Sequence, residues 1–509
     1  MKDRILCGYE PAAPLRFFEE ICAIPHVSGE EGRIADYIEK FARERGLFCY
    51  RDGVNNVFVR RPATEGHEVS PAVMLQGHTD MVGEKDPDSP HDFSADGLDL
   101  RVVESDGADW IAATGTTLGG DDGVAVAMML AVLDCPPEPH PAIECLFTVS
   151  EEIGLEGAWA FDPARAGATA TTVINLDSEA EGVVTAGCAG GVRTDIRIPV
   201  AVEPARGVAV SVVLGGFSGG HSGVEIHEGH ANAIKVLSRL LRAAADQDKE
   251  GRIVAVGGGG KDNAIPRDAW ATVLLPADGV ESFCRAVTAE ADRVRREPNI
   301  ILSDKEFFCT VSPNEAPAYM LSAESHRAVL AAIDLLPNGA LSMSAHVEGL
   351  VAYSRNLGIL NTHTDENGVP VAVTLSASTR SASATHLDDA QRELEELAGV
   401  LAAVASASVS ATHRARYPGW DYAPVSPLRD RWMAASEALF GIKPRVEVIH
   451  AGLECGILSD KLAAVLGVAP DIISVGPDMR DIHTPREMLS IPSTERTYRL
   501  LCRVLSELA

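Results

Sequence analysis

Cysteine is present but unpatterned. The ten cysteines form no C-x-x-C pair and keep no regular spacing, a pattern more like reduced thiols in a large protein than a disulfide framework or a thiolate zinc site. Basic residues are outnumbered: 44 Lys and Arg face 73 Asp and Glu, for a formal charge of -29. Such a surface repels phosphate backbones and anionic lipid, so neither nucleic acid nor a membrane is expected as a partner. Long apolar runs are missing too. The longest, Val124 to Leu133, is about half a membrane span, and the opening MKDRILCGYEPAAPLRFFEE lacks the apolar stretch of a signal peptide. A cytoplasmic location is the expectation. There is no internal repeat and no low-complexity tract, and the GGGG at Gly257 to Gly260 reads as a loop. Any bound metal must come from histidines and carboxylates.

What remains is an ordinary globular composition, 46% hydrophobic and 23% charged over 509 residues, too long for one core and sized for two domains. Helical patterns (Pro14 to Glu20, Gly32 to Arg45, Gly123 to Leu133) alternate with short apolar strands such as VMLQGH and IECLFTVS, which predicts an α/β layer with a mixed or parallel sheet. After about residue 190 the texture changes to longer alternating segments, VRTDIRIPV and VAVSVVLGG, and an Ala/Leu-rich helix from His230 to Ala244. From about Tyr417 the first texture returns, ending in IISVGP. The pattern predicts an α/β domain interrupted by an inserted α+β one.

Carboxylates and histidines recur at predicted strand ends: His78 and Asp80 in VMLQGHTDM, Asp121 and Asp122 in TLGGDDG, Glu151 and Glu152 in TVSEE, Asp177 in VINLDSE, and His483 in DIHTP. Strand ends are where α/β sheets place ligands. Taken singly, each residue is best explained as a cap or a hydrogen-bonding side chain. Five such clusters weigh differently, because carboxylates gathered in one cleft repel one another unless divalent cations neutralise them. His78 and Asp80, two residues apart in an extended segment, share a face, so the histidine can bind a metal while the aspartate orients it. Glu151 and Glu152 need not act alike: one can bind a metal while the other stays free as a general base. Nitrogen and carboxylate donors suit zinc, with manganese or cobalt as alternatives.

HTDM, TLGGDDG, SEEIGLEGA, NLDSE, GGHSG, NAIPR, YPGW, HAGLECG and DIHTP, in this order, resemble the M20 metallopeptidases, and within them the aminoacyl-histidine dipeptidases (peptidase D, or cytosol nonspecific dipeptidases). The resemblance runs from about residue 15 to about residue 500. It implies a zinc-peptidase (phosphorylase/hydrolase-like) catalytic domain in two segments, 1–189 and 416–509, with an inserted lid and dimerisation domain at 190–415. It implies two divalent metals, zinc first, with His78 and Asp177 on one, Glu152 and His483 on the other, and Asp121 bridging them. Glu151 becomes the general base and acid for a metal-bridging water, Asp80 orients His78, and His221 in GGHSG stabilises the tetrahedral oxyanion. Asn263 in NAIPR and Arg380 in STRS are implied to contact substrate, the arginine gripping a peptide carboxylate. The implied substrate is an unblocked dipeptide, with Xaa-His among the candidates, and the implied assembly a homodimer through the lid.

The sequence departs from that pattern at Asp122, where Asn is more usual, and at AYSRNLG, Ala352 to Gly358, which replaces a stretch beginning ETS. Both bear on substrate preference more than on hydrolysis. Other readings fare worse. GFSGG places Ser218 in G-x-S-x-G, but no helix follows directly; VGGGGKDN lacks the first Gly and the Ser/Thr of a P-loop, and HEGH is one residue short of HExxH. Another M20 amide hydrolase (tripeptidase, carboxypeptidase or acyl-amino-acid deacylase) would share the metal set, and a non-catalytic homologue is the rival of another class. Retention of Glu151 and Asp80 speaks against the latter.

Overall fold

In the computed structural model, which describes residues 4–245, 251–315, 317–345, 347 and 349–509, the chain divides into two units. One comprises Met1–Cys188, Trp420–Val448 and Leu453–Ala509; the other comprises Ala189–Gly419 and Ile449–Gly452. The first unit is built on an eight-stranded mixed sheet. Its centre is four parallel strands, Ile143–Thr148, Val73–His78, Thr172–Asn175 and Asp471–Ser474. Every residue of Val73–His78 and of Ile143–Thr148 is buried, and for that reason these strands read as continuous runs rather than alternating ones. Val57–Arg61 flanks them antiparallel on one side, with Phe48–Arg51 antiparallel to it in turn; on the other side Val183–Cys188 is antiparallel to Asp471–Ser474, and Arg445–Ile449 lies beyond it. Because the central strands share a direction, their C-terminal ends lie along one edge, the edge at which such sheets carry ligands.

The apolar run Val124 to Leu133 lies in the helix Gly120–Asp134, buried at every position from Gly120 to Leu133. It is a core helix, and among the described residues no helix is long and apolar enough to cross a membrane. A smaller sheet in this unit orders Met479–Arg480, Met488–Ser490, Ala108–Ala113 and Leu100–Ser105. All ten cysteines are free.

The second unit has a nine-stranded antiparallel sheet that shares one core with the helices Ala233–Ala245, Val280–Val294, Ala323–Leu335 and Ala384–Ala405. Two expectations are corrected here. The helix expected from His230 starts at Ala233, because the Asn232 side chain accepts the N–H groups of Ile234 and Lys235 and so caps it. The glycine run is not all loop: Gly257 and Gly258 end the strand Arg252–Gly258, and a Cβ at Gly257 would lie 2.8 Å from the Trp270 ring. Glycine is kept there for the aromatic that covers it.

Candidate active site

His78 is the last residue of its strand, and Glu151, Glu152 and Asp177 follow closely on the ends of two neighbouring strands. His483 lies between the short strands Met479–Arg480 and Met488–Ser490. Asp121 and Asp122 sit elsewhere than expected: they open the helix Gly120–Asp134, with non-helical backbone angles, rather than ending a strand. The Gly119–Gly120 pair before them marks a turn into a helix, a signal that the strand-end reading passed over.

These side chains converge. Asp121 is the centre, with Oδ1 3.0 Å from His78 Nε2 and Oδ2 3.2 Å from His483 Nε2. Asp177 Oδ1 is 3.6 Å from His78 Nε2, and Glu152 Oε1 is 2.7 Å from His483 Nε2. Three groups of donor atoms result, each within 4.8 Å of one another: His78, Asp121 and Asp177; Asp121, Glu152 and His483; and His78, Glu151 and Glu152. Asp121 belongs to two of them, and Glu151 enters only the third.

Crowding of this kind shifts protons. Burial opposes a charged imidazole at His78, yet the carboxylates of Asp121, Asp177 and Asp80 raise its pKa well above the ordinary value. Hydrogen bonds to Asp121 and Glu152 push His483 up to about 10. Burial opposes the charge on Asp121 too, but its bonds with His483 and His78 hold its carboxyl below the usual range. Burial lifts Asp177 to about 7, with Asp121 and Glu179 adding to it. Glu151 is raised well above the carboxylate range, by burial and then by Asp177, Glu454 and Glu152. The cluster holds protons where divalent cations would otherwise balance it.

Around these groups is a layer of supports. Asp80 places its backbone carbonyl 3.0 Å and its carboxylate Oδ1 3.4 Å from His78 Nδ1. Its carboxylate also accepts the backbone N–H groups of Glu151 at 3.0 Å and Glu152 at 3.3 Å, and the Ser28 hydroxyl at 2.8 Å. Asp80 therefore holds the turn that carries both glutamates. Glu31 holds the residue before them, accepting from the N–H and hydroxyl of Ser150, which has φ 53°. Asp122 Oδ2 accepts the His78 N–H at 3.2 Å while its Oδ1 has no partner. Burial, then Asp177, raises the Asp122 pKa well above the ordinary value. A Cβ at Gly77 would lie 2.5 Å from Asp122 Oδ2 and 2.7 Å from the Ala125 Cβ, so a larger residue there forces a neighbour to move.

Two further carboxylates escaped the sequence reading. Glu454, fully buried, accepts from Gln76 Nε2 at 2.6 Å and from the Thr148 hydroxyl at 2.7 Å, and so joins two central strands. Glu487 accepts backbone N–H groups from the segment that leads into Asp121. Glu454 stands in HAGLECG and Glu487 four residues after His483.

In the second unit, His221 Nδ1 accepts the N–H groups of Gly223 and Val224 at 3.3 and 3.1 Å. An acceptor at Nδ1 puts the ring proton on Nε2. Burial and then Arg380 lower its pKa, keeping it neutral. Arg380 is buried, donates from Nη1 to the Tyr417 hydroxyl at 2.9 Å, and leaves Nε without a partner. Half-buried Asn263 accepts the Ser222 N–H through its backbone carbonyl at 2.9 Å. His450, another residue not anticipated, is buried with Nε2 2.7 Å from the Ser354 hydroxyl. Ser354 and Arg355 belong to the departing AYSRNLG stretch. Arg355, fully buried, donates to the Tyr353 hydroxyl, Glu393 and Thr379, so the departing residues pair with one another and with the helix Ala384–Ala405. Ser218 donates to the Ser303 carbonyl in an exposed loop and is no activated nucleophile.

The model of peptidase family M20/M25/M40 matches residues 74–507. The chain is 34% identical over 498 residues to the cytosol non-specific dipeptidase of Escherichia coli strain K12, covering 96% of each protein. It is similar to the crystal structure of aminoacylhistidine dipeptidase from Vibrio alginolyticus, with a TM-score of 0.86 and 32% identity over 98% of this chain and 97% of that one. An aminopeptidase from Bacillus cereus shares the fold, with a TM-score of 0.59 at 16% identity over 98% and 99% of the two chains. With a family match over most of its length and a relative this similar from end to end, the chain belongs to peptidase family M20/M25/M40 and is a hydrolase of peptide bonds.

Proposed function

We propose that the protein is a dinuclear-metal dipeptidase acting on unblocked dipeptides, Xaa-His among them. One observation carries the reading: each oxygen of Asp121 meets a different histidine, and each of the two resulting donor groups is completed by its own carboxylate, Asp177 or Glu152. The donor set fits two cations, since imidazole nitrogens and carboxylate oxygens suit zinc, and manganese or cobalt accept the same atoms. Bound there, the metals would lower the pKa of a water and polarise the scissile carbonyl.

The rest falls to the chain. Glu151, left outside the two Asp121 groups, is the general base and acid, taking a proton from the attacking water and delivering it to the leaving amine. Its raised pKa brings it nearer the operating range of such a group. Asp80 sets the direction of that carboxylate by gripping the amide N–H groups of Glu151 and Glu152. His221, with its proton on Nε2, has the tautomer of an oxyanion donor. Arg380 has an unused buried Nε–H for a peptide carboxylate, and Asn263 is assigned to the same substrate contact. In this reading the first unit is the catalytic domain and the second a lid through which a cytoplasmic homodimer forms.

Dipeptides are favoured over longer or blocked substrates by the names of the relatives from Escherichia coli and Vibrio alginolyticus. The test is hydrolysis of Ala-His, β-Ala-His, Ala-Leu, a tripeptide and N-acetyl-Ala-His by protein stripped with chelator and reloaded with Zn²⁺ or Mn²⁺. Metal-dependent cleavage confined to free dipeptides is expected. Cleavage of the acetylated or longer substrates would assign another amide-hydrolase activity, and no cleavage with either metal would refute turnover.

A further inference from the structure

Glu487 shares the loop of His483, between Met479–Arg480 and Met488–Ser490, yet is only 3% exposed. Its Oε2 accepts the N–H groups of Leu118 at 3.0 Å and Gly119 at 3.3 Å, and its Oε1 those of Gly120 at 2.8 Å and Asp121 at 3.4 Å. Amides at the start of a helix have no partner within it, and the helix end favours an anion. The residue that would normally supply a cap is Gly119, in left-handed conformation at φ 64° and without a side chain. The cap comes instead from the His483 loop. Gly120 leaves it room, as a Cβ there would stand 3.2 Å from Glu487 Oε1.

We infer that Glu487 is a positioning residue of the metal centre, clamping the loop that carries His483 to the helix start that carries Asp121. It thereby sets the affinity of the cation those two residues share. The inference rests on the dinuclear reading above. A carboxylate that merely capped a helix would support the fold and leave the metal untouched, so the discriminating quantity is metal affinity rather than stability or rate.

The test titrates Zn²⁺ into chelator-stripped full-length protein against a competing chelator, for wild type, Glu487→Gln and Glu487→Asp. The amide nitrogen of Gln cannot accept, so one pair of N–H bonds is lost. The expected result is two zinc ions in wild type, with the second bound about 10 to 100-fold more weakly in Glu487→Gln, the first changed little, and Glu487→Asp lying between. Turnover of Glu487→Gln should recover as zinc is raised. If both variants bind two ions as wild type does, Glu487 is a structural cap and the inference is wrong, whatever the thermal midpoints do. If Glu487→Gln does not fold, Glu487→Asp decides by the same titration. Wild type binding fewer than two ions would overturn the dinuclear reading itself and the inference with it, a result distinct from the first.

Discussion

Glu454→Gln should stabilise the metal-free protein in alkaline solution and not in acid. Glu454 has no solvent exposure; Oε2 takes hydrogen bonds from Gln76 and Thr148, while Oε1 has no partner. Burial first, then the charges of Asp177 and Asp80, push its pKa from 4.5 up to about 7. The folded protein keeps a proton that the unfolded chain releases between those values. Wild-type stability is therefore whole below about pH 4.5 and declines until the pH has passed about 7. The full linkage is about 3 kcal/mol, of which about 2.5 kcal/mol falls between pH 5 and pH 8. Glutamine carries no titrating proton, keeps an acceptor for Gln76 and Thr148, and places its NH₂ where the unpartnered oxygen was. Urea denaturation of chelator-treated wild type and variant, at steps between about pH 5 and pH 8, reads the difference directly. It should grow in the variant's favour by roughly 2 to 3 kcal/mol across that range. A difference constant with pH would refute the reasoning, because Glu454 would then be ionised in the fold and held by contacts that the structure does not show.

Glu151→Gln should retain both metals and lose roughly 10² to 10⁴-fold in kcat; wild-type turnover in the metal-loaded variant would remove it as the base. For His221→Ala, kcat is expected to fall about 10²-fold or more with metal content unchanged, and an unaltered kcat would take it out of the mechanism. Arg380→Gln should act mainly through KM for free dipeptides, raising it by about 10-fold or more through loss of a charge-assisted bond. Equal KM values for wild type and variant would show that the carboxylate is bound elsewhere.

Spacing and residue type made the convergence of His78, Glu152 and Asp177 legible, because parallel strands deliver whatever follows their ends to one edge, whereas Asp121 at a helix start and His483 between two short antiparallel strands join them by other routes. The continuous apolar runs identified buried strands, and the run Val124 to Leu133 was short enough to be a core helix. What stayed hidden came from contacts distant in sequence. Nothing in the neighbourhood of Glu454 announces Gln76 or Thr148, and nothing near Glu487 announces the amides of Leu118 to Asp121. A supporting carboxylate has the same sequence signature as a solvated one, and the chain has 73 acids among which to hide it. The i, i+2 spacing of His78 and Asp80 was visible, but not that the Asp80 carboxylate also holds the amides of Glu151 and Glu152, which depends on a turn with Ser150 at positive φ.

The order of strands in the first unit has a consequence for synthesis. Thr172–Asn175 and Val183–Cys188 are not neighbours; the strand between them is Asp471–Ser474, and His483 follows it. Until synthesis has passed residue 471, a growing chain has a gap in the middle of that sheet and two strand edges unpaired. This inner strand and the donor His483 emerge together, after the other residues of the cluster. A chain that has not reached His483 therefore has neither a closed sheet nor the full set of donors around Asp121, and in the reading proposed above a peptide-cleaving centre cannot assemble on it.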